Sequence, residues 1–167
     1  MEAGLLIVRL VFGLVMAAHG AQKLFGWFGG YGIAGTGGFF ETLGFHPGRR
    51  FAAAAGVSEF GGGLLLALGL FGPIGPGLVI GVMTVAALSV HWHNGLFAMS
   101  NGIELPLLYA AGAAGVALIG PGRYSLDAFL GLSSLWTSEL AWTAISAGIA
   151  GALVNLALRR TPVAVAA

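Results

Sequence analysis

The chain has 167 residues, of which 57% are hydrophobic and 8% charged, and its formal net charge is +1. A soluble domain carries about 25% charged residues; with so few, and a mean hydropathy of +0.93, this chain cannot cover a water-facing surface, and composition places it in the membrane. The near-neutral charge excludes a nucleic-acid partner, and the lack of cysteine excludes disulfides, thiol chemistry and iron–sulfur ligation by the chain itself.

A membrane helix needs about 20 mainly apolar residues. The first such segment runs from about Ala3 to Phe25. Glu2 stands where a signal peptide would have a basic region, and the apolar run is too long for a signal core, so it reads as a membrane helix. The stretch "GWFGGYGIAGTGGFFETLGFHPGRR" (26–50) follows, rich in glycine and aromatics; Trp27, Phe28, Tyr31, Phe39 and Phe40 suit the lipid–water interface. Within it, about Thr36 to Leu43 is expected to form a short helix in the membrane plane. "GIAGTGG" resembles a nucleotide-binding loop only superficially, because no strand precedes it. The second long segment runs from about Phe51 to Phe71 and ends at "GPIGPG". The third starts after Pro76 and reaches about His91; the fourth runs from Ile103 to about Gly120 and stops at "GPGRYS"; the fifth runs from about Glu139 to Leu158 and ends at "RRTP". Proline and glycine clusters separate the segments, where helices stop. Helices are the only open choice, since no ten-residue strands of alternating polarity are present for a barrel.

Five spans put the 26–50 connection, the 93–102 connection and the carboxyl terminus on one face, with Lys23, Arg49, Arg50, Arg159 and Arg160; the other face has only Arg123. The positive-inside rule makes the basic face cytoplasmic, with the amino terminus outside.

Ionisable side chains at membrane depth are functional candidates. They are Arg9, His19 and Lys23 in the first segment, Glu59 in the second, His91 at the end of the third and Glu104 at the start of the fourth. At about 100° per residue Arg9 and Lys23 fall nearly in line and His19 lies within roughly 80°, so one broad polar face turns inward; Gln22 points away from it. Glu59 lies within about one turn of His19 in depth. The expected picture is a shared polar pocket in the cytoplasmic half, with Arg9, His19 and Lys23 facing Glu59 and Glu104. Two plainer readings compete with it: Arg9 and Glu59 form a structural ion pair, and Lys23 snorkels to the interface. "HWH" (91–93) is a weak metal pattern, because in a helix the two rings point about 200° apart. Gly61, Gly62 and Gly63 would let another helix approach near Glu59, and Gly77/Gly81 and Gly148/Gly151 are candidate packing faces.

The segments "LLIVRLVFGLVMAAHGAQKLFG", "GTGGFFETLGF", "SEFGGGLLLALGL" and "NGIELPLLYAAGAAGVALIGPGRYSLDAFLG" together resemble the DoxX/DoxD-like family of bacterial membrane proteins, over about Leu5 to Gly131. The resemblance implies an all-α, polytopic transmembrane bundle of four helices in the bacterial inner membrane. Here it would form a single domain (1–167) with a core over 3–131 and a fifth apolar helix at about 139–158. Some members are subunits of a thiosulfate:quinone oxidoreductase and others are linked to oxidative-stress complexes. The polar positions that match are Arg9, His19, Gln22, Lys23, Glu59 and Glu104.

Three functions fit this reading. One is a redox-associated subunit binding a quinone-like ligand, with His19 and Lys23 as donors, Glu104 and His91 as a proton relay, and a membrane or soluble redox partner supplying the electron carrier. Another is a small-solute or proton-coupled transporter, although no inverted repeat of broken helices is visible. The third is a structural or assembly subunit whose polar residues lock helices together.

Overall fold

The structure, a computed structural model, describes residues 2–160; Met1 and residues 161–167 of the expected single domain lie outside the described residues. It is all-helical among those residues. Helix α1 spans Glu2–Phe25, α2 Gly32–Thr42, α3 Gly48–Leu68, α4 Ile74–Ala86, α5 Glu104–Ile119, α6 Leu126–Phe129 and α7 Ser138–Ala157. The α4 rod continues through a π-helical turn, Ala87–His91, and a 3₁₀ turn, Trp92–Asn94. The expected segments agree with these bounds to within about three residues, and the short helix expected after the first segment is α2, which starts four residues earlier than expected. α1, α3, the α4 rod and α7 are each long and apolar enough to span. With only 16 residues, α5 rises about 24 Å and is a shorter apolar helix than these four.

Small residues decide which helices touch. Lipid gives helices no hydrophobic reason to associate, so close backbone approach has to supply the dispersion contact. A Cβ added to Gly13 would fall 2.5 Å from the Ala67 amide, and one on Gly63 would fall 2.5 Å from Gly13 O. Gly20 packs likewise on Gly56 and Phe60. α1 and α3 are therefore antiparallel with almost no space between them.

Gly62 meets Leu78, at 2.9 Å from its Cβ, and Gly75 meets Leu66, which closes α3 on α4 at the end where they are joined. On the far side of α4, Gly77 abuts Ala144 O and Gly81 abuts Gly148 O, at 2.8 and 3.0 Å from an added Cβ. Of the expected packing glycines, Gly62, Gly63, Gly77, Gly81 and Gly148 make these contacts, whereas Gly61 and Gly151 face open space. The core between the helices is built from Met16, Leu66, Val79, Ile80 and Val116.

The Gly77–Ala144 and Gly81–Gly148 pairs step forward together, so α7 runs parallel to α4. Its far end is stitched to the α2–α3 turn: Arg160 N donates to Gly44 O at 2.8 Å and Arg159 Nε to Leu43 O at 2.9 Å. The Arg159 guanidinium also lies over the Phe45 ring, 5.4 Å from its centre. α7 thus ends on the face that carries α2, Arg49 and Arg50, as a fifth crossing requires. Below, this is the basic face and the other is the outer face.

The α1–α3 contact yields a prediction. Gly20→Leu should push the two helices apart and lower stability by about 1–3 kcal/mol, read as a drop in the thermal midpoint of the detergent-solubilised protein. Gly61→Leu, on a surface with open space, should leave the midpoint unchanged.

Candidate functional site

The helix contacts fix which side chains share a level. Gly20 lies against Gly56 and Phe60, so Glu59 is level with His19, near mid-membrane. Gly62 lies against Leu78, which puts Glu59 near the level of Gly81.

At this level Lys23 Nζ meets Glu59 Oε2 at 2.6 Å. Glu59 is buried, with 3% of its side chain exposed against 23% for Lys23. Lys23 is the one side chain that meets Glu59 Oε2, and no further donor reaches that buried oxygen. His19 sits beside the pair. Its Nδ1 pairs with Gln22 Oε1 at 3.1 Å, and its ring stands edge-on to Tyr109, 6.3 Å between centres. Gln22 Nε2 in turn donates to Phe28 O at 3.2 Å. Gln22 therefore orients the His19 ring and tethers it to the turn after α1, a role that its angular position on the helix did not suggest.

Arg9 is elsewhere. It is 1% exposed and turns to the outer face, where its guanidinium donates to Pro121 O, to Ala67 O at 3.1 Å and to Tyr124 O at 2.9 Å. The expected Arg9–Glu59 pair does not form, and Lys23 does not snorkel. Both corrections have one cause. Side chains on a helix lean toward its amino terminus. On α1 that direction is outward, so Arg9 reaches the outer loops and Lys23 climbs into the bundle. On α3 it is toward the basic face, so Glu59 leans down to meet Lys23. Arg9 gains the unpaired carbonyls near the ends of α3 and α5, where helix dipoles favour a cation.

A second buried charge completes this outer cluster, and sequence reasoning missed it. Asp127, fully buried, accepts from Phe71 N at 3.0 Å, Gly72 N at 2.7 Å and Trp136 Nε1 at 2.7 Å, while its own amide donates to Gly69 O. Gly69 ends α3 at φ 62°, and a Cβ there would fall 2.9 Å from the Arg9 guanidinium carbon. Arg9 therefore holds the last turn of α3, and Asp127 holds the α3–α4 turn that follows it. The signal available was Asp127 as the single acidic residue between the fourth and fifth segments, two residues after a helix-capping serine.

The ion pair opens into a cavity of about 510 Å³ whose walls include His19, Lys23, Glu59 and His91. Arg9 and Glu104 are not on those walls. Glu104 Oε2 accepts from Ala98 N at 2.7 Å and holds the turn before α5; His91 Nδ1 pairs with Asn101 O at 2.7 Å. The two residues expected to relay protons thus face different partners. His91 ends the π-helical turn, and such turns are common at functional sites. The cavity also takes in Tyr109 from α5 and Asn155 from α7, neither of them singled out by sequence. Phe39 and Phe40 of α2, with Phe45 and Phe51, form its basic-face end. The rest of the wall is mainly alanine, glycine, valine and leucine.

Fold and site together define a multi-pass helical membrane protein with a charged, half-open chamber in its basic half. The chain belongs to the DoxX family, whose sequence profile matches residues 4–92, from α1 to the π-helical turn. That match covers Arg9, His19, Lys23, Glu59 and His91; Glu104, Asp127 and α7 lie beyond it. No curated protein and no solved structure matches the chain.

The ion pair predicts a non-additive mutant cycle. Lys23→Met leaves Glu59 unpaired in the bundle and should cost about 3 kcal/mol. The Lys23→Met/Glu59→Gln double variant should regain most of that loss, measured by thermal unfolding in detergent. Equal losses in the single and double variants would mean that the pair is not formed. Arg9→Met should destabilise by about 2–4 kcal/mol, since it strips the donor from the buried carbonyls of Ala67 and Pro121.

Proposed function

We propose that this DoxX-family protein binds a quinone-like ligand at the Lys23–Glu59 level and serves as a redox-associated subunit in the bacterial inner membrane, with the basic face cytoplasmic. The observation that carries this reading is the chamber itself. A ring-sized ligand with two carbonyl oxygens needs an apolar slot of about 300–1,000 Å³ with a few placed donors. The chamber has about 510 Å³, and its donors are grouped where Lys23, His19 and Tyr109 converge.

Lys23 would hold a carbonyl oxygen, because an ammonium has three donors and the ion pair uses only one side of it. His19, kept in place by Gln22 and Tyr109, would hold the ring edge or a second oxygen. Glu59 would keep Lys23 charged and in reach, and its carboxylate, which meets no donor but Lys23 at Oε2, would accept from a hydroxyl on the reduced ligand. A bound quinone supplies two-electron, two-proton chemistry; the chain contributes binding, orientation and a side chain that can hold a proton. With no cysteine to bind a cluster, a membrane or soluble redox partner would bring the electrons.

Organic extracts of the purified protein, and ultraviolet difference spectra with added quinone, test the reading. The expected result is a co-purifying or saturably bound quinone, with affinity reduced about tenfold or more in Lys23→Met and in His19→Ala, as for loss of a charged hydrogen bond. No quinone in the extract and no saturable binding would overturn it. Proteoliposome flux of a solute that disappears in Glu59→Gln would favour a transporter instead.

A further inference from the structure

The chamber is not sealed on all sides. α3 and α4 touch at their outer ends, where Gly62 meets Leu78. Toward the basic face they part, and Ala54, Ser58 and Glu59 look across the cavity at Val82, Val85 and Ser89. α7 packs on the far side of α4 and lends Gly148, Gly151 and Asn155 to the same cavity. The cavity wall on α4 runs from Gly77 to His91, about 20 Å of rise. From Gly77 to Ala86 it has no hydrogen-bonding side chain; those begin at Ser89. α7, which is parallel to α4, repeats the pattern: Ala147 to Ala152 are apolar and Asn155 is polar. Wall residues Leu78 (38% exposed), Ala54 and Gly151 are exposed, and all three lie in helices long and apolar enough to span a membrane.

We infer that the α3–α4–α7 furrow is a lateral opening to the bilayer that takes the prenyl tail of the ligand whose head group sits at Lys23–Glu59. This inference rests on the proposed function for the head group and adds the class of ligand: a lipid quinone carried in the bilayer, not a water-borne ring. Three features support that occupant. The furrow is continuous with the ion pair, it is apolar over most of the α4 rod and lined by small residues on α3 and α7, and its exposed wall residues lie in helices long and apolar enough to span a membrane. A tail entering sideways also leaves the glycine contacts of α1 with α3 undisturbed.

Gly151 allows a direct test. A Cβ there meets nothing within 4 Å, so Gly151→Leu fills open furrow without displacing the protein, and leucine suits a helix better than glycine. Ala54→Leu narrows the furrow from the opposite wall. Gly115→Leu, also in open space but away from the cavity, is the control. Affinities for a prenylated quinone and its tail-less ring analogue are measured by difference spectroscopy for each protein in nanodiscs, after correction for partition into lipid. The expected result is that wild type and Gly115→Leu prefer the prenylated ligand by about tenfold or more, a preference that two buried methylenes already provide. Gly151→Leu and Ala54→Leu should lose most of that preference and keep their affinity for the ring analogue. Equal binding of both ligands by wild type, or an unchanged preference in both furrow variants, overturns the furrow while leaving the head-group reading standing. Binding of neither ligand by wild type overturns both.

Discussion

Two cations on one membrane helix must each find oxygen without leaving the bilayer, and the rest of the bundle is arranged around how they do so. An unpaired charge at the bilayer centre costs at least about 2.5–3.5 kcal/mol. Arg9 and Lys23 both lean toward the amino terminus of α1, and the consequences differ because of where each one starts. Arg9 starts near the outer face and arrives among the carbonyls of loop ends. Lys23 starts near the basic face and arrives at Glu59. One rule of side-chain direction therefore separates a structural cluster from a chamber.

The separation gives the two halves of the molecule different work. The outer half is closed: Arg9 pins the last turn of α3, Asp127 pins the α3–α4 turn that follows it, and glycines bring α3 against α4. The basic half is open. The helices diverge there, the α4 rod loosens into a π-helical turn, and α2 lies across the end with its phenylalanines against the cavity. Charge satisfied by fixed backbone groups, as at Arg9, has little to offer a ligand. Charge satisfied by a single side chain, as at Glu59, can be shared with one.

Much of this was legible in the sequence. Segment lengths and glycine–proline punctuation located five long helices and the short helix after the first, and residue counting alone put Glu59 within about one turn of His19. The arginine at position 9 was recognised as inward-facing, and it is. What counting could not supply was side-chain direction. Depth measured at the backbone treats Arg9 and Lys23 as points, whereas each reaches about a turn or more along the bundle, and that reach decides which one meets Glu59. Gln22 was discounted by the same arithmetic, because its angle on the helix says nothing about the turn at Phe28 that folds back to meet it. Asp127 escaped because its partners, the amides of Phe71 and Gly72, lie 56 and 55 residues away.

The glycines link these points. At Gly13, Gly20 and Gly63 they remove the space between α1 and α3, so that Lys23 and Glu59 are brought within reach of each other. At Gly77 and Gly81 they seat α7 against α4 at mid-depth, which leaves the basic end of α7 free to be held by Arg159 and Arg160 on the α2–α3 turn. At Gly151 there is no partner at all, only the furrow. Gly61 and Gly115 also face open space, but away from the cavity; Gly151 differs in standing on the cavity wall, where the missing side chain leaves room for a ligand.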